Sequence, residues 1–378
     1  MKTYQLKGMT WDHPRGLDCL VNSDGLLQKQ LQVSVEWSAR SLLAFGDQHI
    51  SEFYAEHDLM IIDHPHVPDA VHAGAVIALE DVASADDMAL LAKTSVGASH
   101  DSYIYKGKHW ALAIDTAAQV SAYRPDKTSK GLVFWEDVLA AGREGLVLWP
   151  HKPVDAFSTF ATIMAQKGHA LCSGSEYIDK AVAAEVLALM IELAKVVPAQ
   201  CLSMNPIEAA EYLVTTNKEH YSVCMYGYTN YSRDGFRTRP IIYDDVPSFD
   251  GLASGSQLGG AGIAISSATK NVELAAKVAI LLSLPEIQST TYVDAGGQPG
   301  NLAAWKAPHA NAITRNFFNN TLRTLERAWV RPRFLGWPDV QFQSSLIIHN
   351  ILKEKNFSVK DIDAIAATYT SYNQELSK

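Results

Sequence analysis

Apolar and polar positions alternate along the chain in two rhythms. Residues 31–37 (LQVSVEW) alternate with a period of two and predict a strand with one buried face. Residues 58–63 (DLMIID) are a continuous apolar run closed by charge at both ends, the pattern of a parallel strand covered on both faces. A first strand ends near Trp11, where Pro14 and Gly16 break the regularity. Helical spacing follows over 17–30 and again over 44–55. Residues 109–123 (HWALAIDTAAQVSAY) open like a buried strand at Trp110–Ile114 and then carry Asp115, Thr116, Gln119 and Ser121 inside a small, apolar run. Unpaired, such groups cost about 1–3 kcal/mol each on burial. Two readings fit: a strand end with a turn, or a crossover between two lobes with Asp115 and Gln119 facing a shared cleft.

The remainder reads as α/β. Residues 103–108 carry a Lys-Gly hairpin signal. Helices are predicted over 134–141, 155–166, 177–196 and 206–214, and strands over 145–150 and 221–226. The loop after the latter holds Tyr228, Asn230 and Tyr231, with Tyr226 before it; aromatic faces suit sugar rings and flat ligands, and packing is the alternative. The glycines of 254–262 precede a strand at 262–265 and lack a following Gly-Lys-Ser/Thr, so a return crossover is preferred to a phosphate loop. Helices at 271–282, 285–293, 311–329, 340–353 and 359–372 complete the chain, with a tight loop at 294–300.

At 378 residues the chain exceeds one ordinary core, so two lobes are expected. Hydrophobic residues at 47% and charged residues at 19% describe a folded globular chain. A net charge of -9 without a basic block argues against nucleic acid as a partner. No apolar run approaches the roughly 18–20 residues of a membrane span, so no membrane insertion is expected. Residues 1–8 (MKTYQLKG) do not read as a secretory signal, which leaves a cytoplasmic chain or one whose leader has been removed. Cys19, Cys172, Cys201 and Cys224 form no CxxC pair, so buried inert thiols are expected rather than a zinc site or a disulfide framework. Ligands of open α/β sheets sit beyond the carboxyl ends of strands, which draws attention to His13, His64 and His66. The i, i+2 spacing of His64 and His66 admits a metal; Pro65 and the turn favour polar ligand contacts or a structural turn. No metal or cofactor is assigned.

An ordered set of segments carries a family resemblance: Trp11-Asp12-His13-Pro14-Arg15-Gly16, DLMIIDHPH at 58–66, HWALAIDTAAQVSAYR at 109–124, LGGAGIAIS at 258–266, LPEIQ at 284–288 and GGQPG at 296–300. In this order, over nearly the whole chain, they resemble the extracellular solute-binding proteins of ABC importers, the sugar-binding type. The resemblance implies a two-lobe, periplasmic-binding-protein-like (type II) clamshell with crossing hinge strands, closing on its solute. It implies discontinuous lobes, residues 1–114 with 262–305 and residues 115–261 with 306–378. The implied ligand-binding set is Trp11, Asp12, His13, Arg15, His64, His66, Asp115, Gln119, Tyr228, Asn230 and Gln298. The implied partners are a small polar solute, carbohydrate or sugar-acid-like, and ABC permease subunits. The implied compartment is periplasmic or extracellular if a leader has been removed. The histidines at the cleft exceed what a neutral sugar needs and suit an acidic solute. Two further readings use the same clamshell: a cytoplasmic enzyme with acid/base groups among His13, Asp63, His64, His66 and Asp115, and a solute sensor reporting to a partner.

Overall fold

The computed structural model describes residues 4–47, 49–174 and 176–376. Residue 48 of the predicted 44–55 helix and residues 1–3 of the N-terminal stretch lie outside them. In chain order the strands are β1 (Tyr4–Trp11), β2 (Val33–Arg40), β3 (Leu59–Ile62), β4 (Ile104–Tyr105), β5 (Lys108–His109), β6 (Leu112–Tyr123), β7 (Val147–Leu148), β8 (Tyr221–Tyr226), β9 (Ile242–Asp244) and β10 (Leu258–Ile265). The chain sorts into two compact units. Unit 1 holds Met1–Ala117, Gly259–Thr314 and Arg333–Leu335; unit 2 holds Ala118–Leu258, Arg315–Pro332 and Gly336–Lys378. The backbone thus leaves unit 1 inside β6 and returns to it inside β10.

In unit 1, β1 runs parallel to β2 and β3, and β10 is antiparallel to β3. The four residues of β3 are at most 2% exposed, as a strand covered on both faces requires. One core gathers Leu6, Leu20, Leu27, Val33, Leu59 and Ile61 from early chain with Ile263, Val278 and Leu282 from late chain. Each such side chain contributes roughly 1.5–3 kcal/mol by leaving water. The single helix predicted over 17–30 is two, Pro14–Val21 and Asp24–Leu31. The break falls where Asn22 Nδ2 donates to the Asp18 carbonyl at 2.8 Å and Ser23 Oγ to the Cys19 carbonyl at 2.7 Å. Side chains that bond backbone locally compete with helix continuation. The predicted 44–55 helix is the short helix Leu42–Asp47 followed by single 3-10 turns at Ile50–Glu52 and Tyr54–Glu56.

In unit 2, β8 is antiparallel to β6 and parallel to β7, and β9 is antiparallel to β6. The register slips between Val120 and Ala122, where Ser121 faces both Val223 and Cys224. This is a β-bulge, and Cys224 carries it in the left-handed region at φ 49°. Helix Pro153–Gln166 is buried continuously from Ala156 to Met164. Helix Trp337–Glu354 packs on it through Phe157 and Trp337, edge to face at 6.1 Å. The predicted 145–150 strand contracts to β7, and the predicted 311–329 helix is two, Pro308–Ile313 and Phe317–Glu326.

All four cysteines are free thiols, with Cys19, Cys201 and Cys224 buried. No described helix is long and apolar enough to cross a membrane.

Candidate functional site

In unit 1 the carboxyl ends of β1 and β3 lie on one edge, because Gly8 and Met9 register with Leu59 and Met60. The loop after β1 is fixed by its own chemistry. His13 caps the helix Pro14–Val21, its Nδ1 accepting from the Arg15 N–H at 3.0 Å. Pro14 at the first helical turn sets the backbone angle there. Gly16 is required by Trp11: a Cβ at position 16 would sit 2.2 Å from the indole ring. Trp11 is 4% exposed and tilts against Phe45 at 5.0 Å. Asp12 alone of the loop is exposed, its N–H donating to the Arg40 carbonyl at 2.7 Å.

Arg15 reaches from this loop to Asp115 on β6. Its Nε donates to Asp115 Oδ2 at 2.8 Å and its Nη2 to Oδ1, a bidentate pair in which both side chains are buried. Burial pushes the Asp115 carboxyl up, and the guanidinium opposes the rise. The backbone after Asp115 is held by glutamines: Thr116 N–H donates to the Gln298 carbonyl at 2.9 Å, and Gln298 Nε2 donates back to the Thr116 carbonyl at 3.2 Å. Gln288 Nε2 does the same for the Ile114 carbonyl at 3.0 Å. After β3, His64 is 1% exposed, with its Nδ1 3.2 Å from Asp63 Oδ1 and its ring edge-on to Tyr103. His66 Nε2 lies 2.9 Å from the Gly46 carbonyl. The two rings take different partners, and the pair belongs to no cluster of three metal-ligating groups among the described residues.

In unit 2, Gln119 is enclosed. Its Nε2 donates to the Cys224 carbonyl at 3.1 Å and to Thr159 Oγ1 at 3.4 Å, and its Oε1 accepts from Thr162 Oγ1 at 2.7 Å. Both amide ends are used in holding the β8 bulge against the helix Pro153–Gln166. Tyr228 and Asn230 are 5% and 4% exposed, at the start of the 3-10 turn Thr229–Ser232. Tyr231 is packing: its hydroxyl donates to Glu211 at 2.7 Å and its ring meets Phe236 edge to face.

Sequence reasoning missed two groups. Arg40, at the carboxyl end of β2, registers with Trp11 on the same edge of unit 1. Its guanidinium stacks 4.2 Å over Phe53, and its Nε and Nη1 are buried with no hydrogen-bond partner among the described residues. Burial lowers its pKa to about 10, with Glu52 opposing, so the charge survives at neutral pH. Its signal was its place at the end of the alternating strand, which the 31–37 reading stopped short of. Gln257, in unit 2, is the second. Its Nε2 donates to Tyr226 Oη at 2.8 Å and to Ser158 Oγ at 3.0 Å, while its Oε1 is buried and unpartnered among the described residues. The Asn230 Oδ1 is in the same condition. Buried polar atoms without partners are rare, and a ligand is one way of satisfying them.

The α/β fold is of the periplasmic-binding-protein-like type. Among solved structures the chain is similar to maltose-bound MalE3 of T. maritima, with a TM-score of 0.77 and 17% identity over 97% of this chain and 98% of that one. It is similar to the GacH receptor of Streptomyces glaucescens, solved unliganded and with acarbose, with a TM-score of 0.78 and 14% identity over 100% and 99% of the two chains. An ABC transporter solute-binding protein of Agrobacterium radiobacter K84 in complex with ribitol aligns with a TM-score of 0.75 and 16% identity over 96% and 97%. In sequence, no family model and no curated protein matches the chain.

Proposed function

We propose that this chain is the solute-binding component of an ABC importer and that it takes a carbohydrate or sugar-acid-like solute. What carries the reading is its near end-to-end fold likeness to receptors solved with maltose, acarbose and ribitol. The unpartnered buried groups in each unit support it. In unit 1, the Arg40 guanidinium would bind a carboxylate and the exposed Asp12 a hydroxyl; in unit 2, the Asn230 and Gln257 oxygens would accept from hydroxyls. In unit 1, Trp11, His64 and His66 are the ring-bearing side chains proposed for solute contact, and in unit 2 Tyr228. Arg15, Asp115, Gln119 and Gln298, bound to partners within their own units, would position the loops instead. ABC permease subunits are the proposed partners and the periplasm or cell exterior the proposed compartment.

The acid/base reading draws less support. His13 serves as a cap, Asp115 is held by Arg15, and His66 is bonded to a backbone carbonyl.

Thermal unfolding against a panel of maltodextrins, monosaccharides, polyols and sugar acids tests the proposal. A cognate solute at 100 times its dissociation constant should add about 2.7 kcal/mol of stability. Silence across the whole panel would overturn the reading. Arg40→Gln should abolish the response to a sugar acid while sparing that to a neutral sugar.

A further inference from the structure

Away from these loops, unit 1 holds a second cluster. His100, which immediately precedes the 3-10 turn Asp101–Tyr103, and His109, on β5 of the hairpin, bring their rings to 4.2 Å at 37°. Their Nε2 atoms are both buried and have no hydrogen-bond partner among the described residues. Asp101 adds a carboxylate, and one donor atom from each of the three lies within 4.8 Å of the others. Behind His109 stands Glu80. It accepts from His109 Nδ1 at 2.7 Å and takes the His109 backbone N–H at 3.0 Å. A carboxylate on Nδ1 holds the proton there and turns a lone pair outward on Nε2, which is the arrangement metal-bound histidines use.

We propose that His100, His109 and Asp101 form a binding site for a divalent first-row transition ion, zinc foremost, with Glu80 orienting His109. The site is independent of the solute reading.

The chemistry selects the class of ion. Two imidazoles and one carboxylate suit zinc, nickel or iron(II) and not magnesium or calcium, which prefer all-oxygen sets. Zinc–nitrogen bonds of about 2.0–2.1 Å place tetrahedral donors about 3.3 Å apart. The three donors therefore need shifts on the order of 1 Å to close on an ion, which rotation of the exposed Asp101 side chain can largely supply. Solvent would complete the coordination on that side. Two cations stand nearby. Lys108 is engaged with Asp81 at 2.7 Å, and the Arg333 guanidinium donates to the Asp101 backbone carbonyl, which leaves the Asp101 carboxylate oxygens for the ion. Bound metal would give partners to both orphaned nitrogens and tie the turn at 101–103 to the hairpin.

The test uses the full chain, stripped with a chelator and titrated with zinc against a chromogenic competitor. One equivalent should bind at micromolar affinity or tighter, and cobalt(II) in its place should give a visible ligand-field band. His100→Asn and His109→Gln should each weaken binding at least tenfold. Glu80→Gln and Asp101→Asn change exposed carboxylates, so they test the assignment even if the histidine variants do not fold; Glu80→Gln should weaken binding about 10–100-fold. Wild-type protein that binds no zinc at micromolar concentrations would overturn the assignment. So would zinc bound equally by the folded variants, since other histidines would then be responsible.

Discussion

Asp115 and Arg15 illustrate how two charges share a buried site. The carboxylate is shielded from water by burial and held by the guanidinium through two hydrogen bonds. Removing one partner strands the other, so Asp115→Asn should cost about 3–5 kcal/mol in urea unfolding. The apolar double substitution Arg15→Met with Asp115→Leu should cost clearly less, because no charge is left behind. Histidines set a second residue-scale expectation. His151 is 3% exposed, stacks on Trp149 at 4.3 Å, and is pushed down to about 4 by burial, with the Trp149 carbonyl opposing. Its folded-state pKa lies below the unfolded value near 6.5, so the unfolded chain binds the extra proton between the two. Stability is therefore intact above about pH 6.5 and falls as pH drops towards 4. This one group should cost about 2 kcal/mol between pH 7 and pH 5. Denaturant melts at the two pH values should show a shallower loss in His151→Gln. At this scale the sequence was partly legible. Asp115 and Gln119 stand out in the sequence as polar groups in an apolar run, but residue order does not show that their partners would be Arg15, Thr159 and Thr162.

Elements were read best where hydrophobic rhythm was strong and poorly where side chains cut into the backbone. The runs at 31–37 and 58–63 became β2 and β3. The 17–30 helix failed at Asn22 and Ser23, whose side chains bond back to the preceding turn. Of the glycines read as a crossover, Gly259, Gly260 and Gly262 fall within β10; Gly260 at φ 127° runs where an added Cβ would meet the Asp115 carbonyl oxygen at 2.4 Å, a contact invisible until the strands are placed. Gly16 allows a measurable test of the same kind. Alanine in a helix is worth up to about 1 kcal/mol over glycine. Here the methyl group would enter the Trp11 ring, and overpacking costs about 1–3 kcal/mol. The clash should win, so Gly16→Ala should lower the thermal midpoint and alter the near-ultraviolet tryptophan signal.

Across the molecule, each unit is assembled from stretches distant in sequence. The core of unit 1 joins Leu6, Leu59 and Ile61 to Ile263, Val278 and Leu282, and β3 finds its partner β10 some two hundred residues later. A fragment of residues 1–117 should therefore lack a cooperative thermal transition by circular dichroism, for want of β10 and the helix Val272–Ser283. A native-like melt from that fragment would show the late segment to be dispensable. The α/β class and the ordered likeness to sugar receptors were visible in the sequence because they depend on element order. Arg40 and Gln257 were not, since each matters through groups left unpaired after folding.

The four free thiols have a practical corollary for how this chain can be produced. Burial drives the Cys19 and Cys224 thiols up to about 12 and Cys201 to about 11, so almost no thiolate is present to start exchange. None of the four cysteines is joined in a disulfide, so the folded state needs no oxidant to hold it. Material folded with reductant and material folded in air should be interchangeable in melting point and elution.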